Sequence, residues 1–219
     1  MKLTEDTDKT SITIGIDVGG PKKGFHAVAL RDGCYWDKFA APDATSVVAW
    51  CQRSGARAVG IDAPCCWSST GRARSAERTL ANEGIYAFAT PSQVVAENRA
   101  FYRWMLNGAE LFNLIELHYQ LFDGSKTVTG PVCFETFPHA VACALAGEVV
   151  SAKQKSFVRR ELLNKAGINT KVLSNIDTVD AALCALTAHY YLAGNFKAYG
   201  DAKDGFIVVP RYLMGRSKA

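Results

Sequence analysis

The first patterned stretch of the chain predicts a β-strand that ends in an acid. From Ile12 to Ile16, isoleucines alternate with small or polar residues, which is typical of a strand with β-branched residues on a buried face. Asp17 follows directly, and Gly19 and Gly20 then allow the chain to turn sharply. Because an acid at the tip of a central strand can point into a cleft, we expect other segments to bring further carboxylates to it.

The composition predicts one globular domain. With 219 residues, of which 48% are hydrophobic, the chain is long enough to bury a sizeable core. No repeat or linker divides it, so we predict a single domain over residues 11–219 after a disordered polar tail over residues 1–10. The net charge of +4 neither identifies nor excludes a nucleic-acid partner, since local clustering of charge matters more than the total.

The seven cysteines predict free thiols. Their number is odd, none forms a Cys-x-x-Cys pair, and no apolar leader follows Met1, so a secreted disulfide framework is not expected. No apolar run approaches the roughly 20 residues that are needed to span a bilayer, and no membrane partner is expected. We therefore expect a soluble, cytoplasmic protein.

The order of the predicted elements indicates a mixed α/β sheet. Three strands joined by tight turns form an antiparallel meander, and later strands follow helical crossovers that make them parallel to the first. Strands are predicted at residues 11–17, 25–30, 34–39, 57–62, 130–137 and 205–209. Helices are predicted at residues 42–54, 72–83, 94–122 with a break near 107–108, from 138, at 152–166 and at 174–192. This order favours a sheet with an antiparallel edge and helices on its faces.

Three acids stand at comparable places near the ends of predicted strands. Asp17 ends the first strand, Asp62 ends the fourth, and Glu135 lies near the end of the fifth. Because these strands are predicted to be parallel, their carboxyl ends should meet at one edge of the sheet, where ligands bind in open α/β folds. Taken singly, each acid has a structural alternative as a turn or helix cap.

Two more acids lie in the last predicted helix. Asp177 and Asp180 are three residues apart and therefore share one face of that helix. Asp180 lies on or beside the apolar stripe, so its charge must be paired or bound to a cation. Asp177 has two open interpretations, a metal ligand or the acid of a capping box that begins at Ser174.

A cluster of these acids requires a divalent cation, because the carboxylates would otherwise repel one another. Hard oxygen ligands select Mg²⁺ or Mn²⁺ over zinc, and phosphodiester-cleaving sites typically hold two such ions about 3.5–4 Å apart. We predict Asp17, Asp62 and Asp180 as metal ligands, with Asp177 as a further candidate. Glu135 is predicted as a fourth ligand or a general base. His26, His118 and His189 show no ligand spacing.

A set of short motifs in a fixed order runs from about residue 12 to residue 210. The motifs are Gly15-Ile16-Asp17, Lys23-Gly24, Gly60-Ile61-Asp62-Ala63-Pro64, Arg74 to Leu80 with Glu77-Arg78, Thr90-Pro91, Glu135-Thr136-Phe137-Pro138-His139 and Asp177-x-x-Asp180-Ala181. In these motifs the chain resembles a family of uncharacterised proteins, named for a domain of unknown function and predicted to be nucleases with an RNase H-like fold. The chain departs from the family pattern at Phe137, where tyrosine is frequent, so a hydroxyl is missing there.

The resemblance implies a fold and a site. It implies an RNase H-like mixed five-stranded sheet in the order 3-2-1-4-5, with the first three strands antiparallel and helices on both faces. It also implies acids at Asp17, Asp62 and the last helix. The Holliday-junction resolvase branch of that superfamily is similar in carrying two acids three residues apart on its final helix.

Several cations are candidates for contact with nucleic acid. Arg72, Arg74 and Arg78 follow the Asp62 loop and could meet phosphates, although with Glu77 they equally fit a solvated helix face. Lys23 is a further candidate, and so is His139, which a capping or core role would also explain. The basic stretch 153–160 is expected to be a solvated helix face.

The hypothesis that follows is a divalent-metal-dependent nuclease that hydrolyses phosphodiester bonds, with nucleic acid as its partner. The alternative is a non-catalytic nucleic-acid-binding or scaffold domain of the same fold, with carboxylates in structural roles. A third hypothesis is actin-like phosphotransfer, because Gly15-Ile16-Asp17-Val18-Gly19 also fits that class. Such enzymes need two domains around a nucleotide cleft, and the chain is roughly half the usual length.

Overall fold

A computed structural model describes residues 10–125 and 130–211 of the chain. The predicted disordered tail lies outside the described residues except for Thr10. None of the described helices is both long enough and apolar enough to cross a membrane.

The strands of the described residues form one mixed sheet. They are β1 (Ile12–Val18), β2 (Phe25–Arg31), β3 (Cys34–Ala41), β4 (Ala58–Asp62), β5 (Gln120–Leu121), β6 (Val132–Glu135), β7 (Phe196–Asp201) and β8 (Gly205–Pro210). Their order is β3-β2-β1-β4-β6-β8-β7, and β5 pairs with β6. The strands β1, β2 and β3 are antiparallel neighbours, whereas β4 is parallel to β1 and β6 is parallel to β4.

This topology confirms the predicted RNase H-like α/β fold and the predicted strand order 3-2-1-4-5, in which the fifth predicted strand corresponds to β6. The sheet is nevertheless larger than the five strands expected, because the antiparallel pair β7 and β8 extends it beyond β6. The final strand was predicted at 205–209, but β7 was missed. Half-exposed residues and Lys197 interrupt its apolar alternation, so its pattern is weak.

The helices cover both faces of the sheet, as predicted. They are α1 (Ala44–Arg53), α2 (Ser75–Asn82), α3 (Gln93–Glu97), α4 (Arg103–Ile115), α5 (Pro138–Ala146), α6 (Lys155–Lys165) and α7 (Ile176–Leu192). The long helix α7 packs across β1, β2 and β4. On the other face, Ile14 and Ile16 of β1 join a core with residues of α1 and α4.

The long helix predicted over 94–122 is wrong in detail. The chain instead forms α3, a short 3-10 turn over Ala100–Tyr102, and then α4. The expected break near 107–108 does not occur, because Gly108 lies inside α4 and packs closely against Ala63. The interruption falls at Asn98 and Arg99 instead.

Two glycines let α7 approach the centre of the sheet. Gly15 of β1 and Gly60 of β4 are register partners. A Cβ on Gly15 would lie 2.0 Å from the backbone oxygen of Ala181, and a Cβ on Gly60 would lie 2.6 Å from that of Cys184. Side chains two residues apart share a face of a strand, so Asp17 emerges beneath the first turns of α7.

Candidate functional site

A cleft of about 420 Å³ opens at the edge of the sheet where β1, β4 and β6 end. Acids from three strands and two helices line it together with four cations. The acids are Asp17, Asp62, Glu77, Glu135, Asp177 and Asp180, and the cations are Lys23, Arg74, Lys155 and Arg159. All five predicted acids therefore meet at one place, and so do two of the predicted nucleic-acid contacts.

Asp17 and Asp62 are held side by side by the sheet. They are register partners at the ends of the parallel strands β1 and β4, so their Cα atoms are one strand spacing, about 4.8 Å, apart. Each follows the same Gly-Ile dipeptide, and the pairing of Gly15 with Gly60 carries α7 over both strands. The repeated Gly-Ile-Asp sequence thus builds both the acid pair and the space for the helix above it.

Asp177 is in the first turn of α7 but does not take the predicted capping role. The N-cap is Asn175, which accepts a hydrogen bond from the Thr178 backbone nitrogen at 2.8 Å, so the capping box expected at Ser174 is wrong. The carboxylate of Asp177 instead accepts hydrogen bonds from Lys23 Nζ at 3.0 and 3.2 Å. Asp177 is therefore free of the helix cap and faces the cleft.

Asp180 is paired with a cation that the sequence placed on a solvated surface. Arg159 of α6 is buried and donates to Asp180 Oδ1, and Lys155 of the same helix lines the cleft. The prediction of a solvated basic face over 153–160 is thus wrong for Arg159. This residue supplies the pairing that a carboxylate beside the apolar stripe requires.

His26 joins the acids although its sequence spacing did not suggest a ligand. It is the register partner of Asp17 on the antiparallel strand β2, so both side chains point to the same face. Ligand atoms of Asp17, His26 and Asp177 all lie within 4.8 Å of one another. Within the described residues, the buried His26 Nδ1 has no hydrogen-bond partner. Only the strand register, which was not predicted, identifies this residue.

Burial and neighbouring carboxylates raise the pKa values of three acids in the cleft. Burial, together with the nearby Asp180 and Asp177, raises the pKa of Asp17 to about 7. Burial, with Asp17 and Asp180 beside it, raises the pKa of Asp62 well above its ordinary range. Burial also raises the pKa of Asp180, although Arg159 opposes the shift. The acids are thus crowded in a buried site, where a bound cation would favour their ionised forms.

Glu135 has a different environment from the one expected of a ligand or base. Both of its oxygens accept hydrogen bonds from Arg74, which is only 1% exposed, and Oε2 also accepts one from the Cys65 backbone nitrogen at 2.9 Å. Arg74 Nε donates to Glu77 at 2.9 Å and completes a buried network. Both oxygens of Glu135 are thus occupied by hydrogen bonds, which does not fit the predicted role of a fourth ligand or general base.

The remaining predicted nucleic-acid contacts lie in varied places. The buried ion pairs of Arg74 remove it from the candidate phosphate contacts and also from the alternative of a solvated face. Arg72 and Arg78 are exposed but do not line the cleft. His139 packs against Phe137 and lies 4.0 Å from Cys143 Sγ, which fits its alternative core role. Of the residues that were predicted to contact nucleic acid, Lys23 is the one that is both exposed and at the cleft.

The sheet topology and the acid-lined edge define an RNase H-like α/β protein. A family model described as "Protein of unknown function (DUF429)" matches residues 15–204, and the chain belongs to this family. No curated protein matches the chain.

Two solved structures of RuvC are similar to the chain. Thermus thermophilus RuvC is 15% identical with a TM-score of 0.43, and the match covers 84% of this chain and 96% of that one. T. thermophilus RuvC in complex with a Holliday junction substrate is 16% identical with a TM-score of 0.42 and the same coverage of 84% and 96%.

Proposed function

We propose that this protein is a divalent-metal-dependent nuclease that hydrolyses phosphodiester bonds at the carboxylate cleft. Asp17, Asp62 and Asp180 are the proposed catalytic metal ligands, and Asp177 and His26 are further ligands of the same site. Mg²⁺ or Mn²⁺ is the proposed ion, because carboxylate oxygens favour hard cations.

The observation that carries this proposal is the convergence of Asp17, His26 and Asp177 within 4.8 Å, beside Asp62 and Asp180. The group fits a cation for two independent reasons. Burial and the neighbouring carboxylates raise the pKa values of Asp17 and Asp62, so a cation would favour their ionised forms, and the buried His26 Nδ1 is without a partner among the described residues. When bound, a divalent ion supplies Lewis-acid activation of water and neutralises charge at the leaving oxygen.

The protein's own cations support a nucleic-acid substrate. Lys23 is 61% exposed in its side chain and stands at the cleft with Lys155. Such cations attract backbone phosphates toward a site whose carboxylates would otherwise repel them. Their role is to bind and orient the strand, while Arg159 holds Asp180 in place.

The test is a cleavage assay with Mn²⁺ or Mg²⁺ on single-stranded, duplex, hybrid and four-way-junction substrates. We expect metal-dependent cleavage of at least one substrate and a loss of at least about 100-fold in Asp17→Asn and Asp62→Asn. Asp37→Asn, which changes an exposed acid on β3, is the matched control and should keep full activity. Cleavage that survives both cleft substitutions would overturn the mechanism.

A second candidate function is a non-catalytic nucleic-acid-binding domain. The ion pairs of Asp177 with Lys23 and of Asp180 with Arg159 favour it, because they give both acids structural partners. A domain of this kind should bind nucleic acid but show no Mn²⁺ affinity that depends on Asp17. Calorimetric titration of Mn²⁺ into the wild type and Asp17→Asn separates the two candidates.

A further inference from the structure

A group of aromatic side chains stands at the mouth of the carboxylate cleft. Phe88 lines the cleft and is 65% exposed, and Phe101 is 58% exposed. The ring centroids of Phe88 and Phe101 are 5.5 Å apart, and those of Phe101 and Tyr102 are 5.1 Å apart. We name Phe88, Phe101 and Tyr102 the aromatic rim. Exposed apolar residues that stand singly are ordinary, but a contiguous group beside a cleft indicates a binding surface.

The rim lies on the irregular segment between α2 and α4, away from the sheet core. Within the described parts of the chain, neither Phe88 nor Phe101 is a member of a hydrophobic core cluster. Trp104, the second residue of α4, also lines the cleft. Phe88 and Trp104 therefore place aromatic side chains in the same cleft as the acids, and Phe101 and Tyr102 extend this aromatic surface from Phe88.

Charges around the rim indicate what kind of molecule it receives. Arg99 and Arg103 bracket Phe101 and Tyr102 in the sequence, and both are exposed. Lys23 and Lys155 stand inside the cleft. Aromatic rings interleaved with cations are the features of single-stranded nucleic-acid sites, where bases stack on the rings and the cations follow the backbone.

We propose that the aromatic rim stacks one or two unpaired bases of a nucleic-acid strand whose backbone enters the carboxylate cleft. A base inside a duplex is already stacked and paired, so it cannot occupy the rim without being extruded. The proposed substrate class is therefore a single strand, or an unpaired segment of a branched molecule. This inference rests on the proposed nuclease function, since it specifies the substrate of the same cleft.

The test is binding, measured separately from cleavage by fluorescence anisotropy of labelled oligonucleotides. The probes are a single strand, its duplex, and the same strand with abasic sites at its centre. All measurements use the full chain carrying Asp17→Asn, which removes one repelling carboxylate and the expected cleavage. We expect the single strand to bind more tightly than the duplex or the abasic strand.

Substitutions at the rim test whether its side chains cause the preference for the single strand. Phe88→Ala and Phe101→Ala should each weaken single-strand binding by about 5- to 150-fold and leave abasic-strand binding nearly unchanged. Phe88→Trp should retain the affinity. Trp36→Ala removes a surface aromatic that is 37% exposed on the edge strand β3, and it is the matched control. Unchanged melting temperatures confirm that the variants fold.

The outcomes distinguish failure of the rim proposal from failure of the nuclease proposal. If the rim variants bind all probes like the parent, the rim proposal is overturned and the surface is left for a protein partner. Equal losses on intact and abasic strands would also contradict base stacking. If rim-dependent binding is found but the wild type cleaves nothing with metal, the rim stands and the nuclease proposal fails. Absence of any nucleic-acid binding overturns both.

Discussion

Asp17 is a partly buried acid of the cleft with two other aspartates beside it, and Lys23 and Lys155 offset their charge only in part. Its pKa is raised from 3.8 to about 7, first by burial and then by Asp180 and Asp177. Between these two pH values the folded protein holds this proton more tightly than the unfolded chain does. The metal-free stability contributed by Asp17 therefore falls as pH rises from about 4 to about 7.

The pH dependence leads to a stability prediction for Asp17→Asn. Without metal, we expect the variant to melt roughly 2–4 °C above the wild type at pH 8, corresponding to about 1 kcal/mol, and to lose this advantage at pH 4. Saturating Mn²⁺ should raise the melting temperature of the wild type but not that of the variant. Differential scanning fluorimetry across pH, with Asp37→Asn as control, makes the measurement. A variant that is less stable than the metal-free wild type at pH 8 would contradict the account.

The assignment of Glu135 to a buried ion pair can be tested apart from catalysis. Glu135→Gln leaves the buried Arg74 short of a compensating charge and should destabilise the protein by about 3 kcal/mol. Lys197→Met breaks the exposed pair with Glu83 and should cost less than about 1 kcal/mol. Chemical denaturation gives both values. Mn²⁺ affinity should be unchanged in folded Glu135→Gln, and its loss would restore Glu135 as a ligand.

The sequence predicts a residue's place in the cleft where the residue stands at a strand end or on a shared helix face. Asp17 and Asp62 end strands with the same Gly-Ile-Asp sequence, and Asp177 and Asp180 share a helix face, so their place in one cleft could be anticipated. His26 could not, because it meets Asp17 only through the register of a hairpin. Arg74 and Arg159 resembled surface charges, since Glu135 and Asp180, which pair with them, belong to other elements of the fold.

At the scale of elements, the packing of α7 across β1 and β4 sets the geometry of the cleft. The helix reaches this position because Gly15 and Gly60 present no side chains to its backbone. The acids of α7 can then meet the acids of the strands nearer the N-terminus of the helix. The cleft geometry is thus a consequence of helix-on-sheet packing.

The close approach of α7 predicts the effect of adding a methyl group. Gly15→Ala would place Cβ 2.0 Å from the Ala181 backbone oxygen, so the helix must move. We expect a loss of about 1–3 kcal/mol or more in the free energy of unfolding and weaker Mn²⁺ binding as the acids separate. Gly130→Ala is the control, because no atom of the described residues lies within 4 Å of its Cβ position. Equal stability of the two variants would show that α7 does not pack as described.

Helices and strands with clear hydrophobic periodicity, or with glycine or proline at their ends, could be predicted from the sequence. Weakly patterned elements could not. The hairpins, α1, α5, α7 and the strands β1, β4, β6 and β8 follow from alternation, glycine turns and Pro138. The strands β5 and β7 lack a clear pattern, since the first has two residues and the second is half-exposed. Residues 94–122 were predicted as one helical region, so the separation of α3 from α4 was missed.

For the whole molecule, one mixed sheet brings residues from across the chain to a single edge. Asp17 and Asp180 are separated by most of the described sequence, yet both line the cleft that the aromatic rim borders. The fold alone is compatible with many functions, so the functional argument rests on the chemistry of that edge. That chemistry requires Asp17 and its neighbours to bind a divalent ion.

The most direct measurement is anomalous diffraction from crystals of the wild type soaked in Mn²⁺, collected near the manganese absorption edge. We expect at least one peak within about 2.0–2.6 Å of an Asp17 carboxylate oxygen, with Asp62, Asp177, Asp180 or His26 completing the ligands. The peak should disappear in Asp17→Asn. A fully occupied Mn²⁺ elsewhere, with none in the cleft, would rule out a metal site at Asp17.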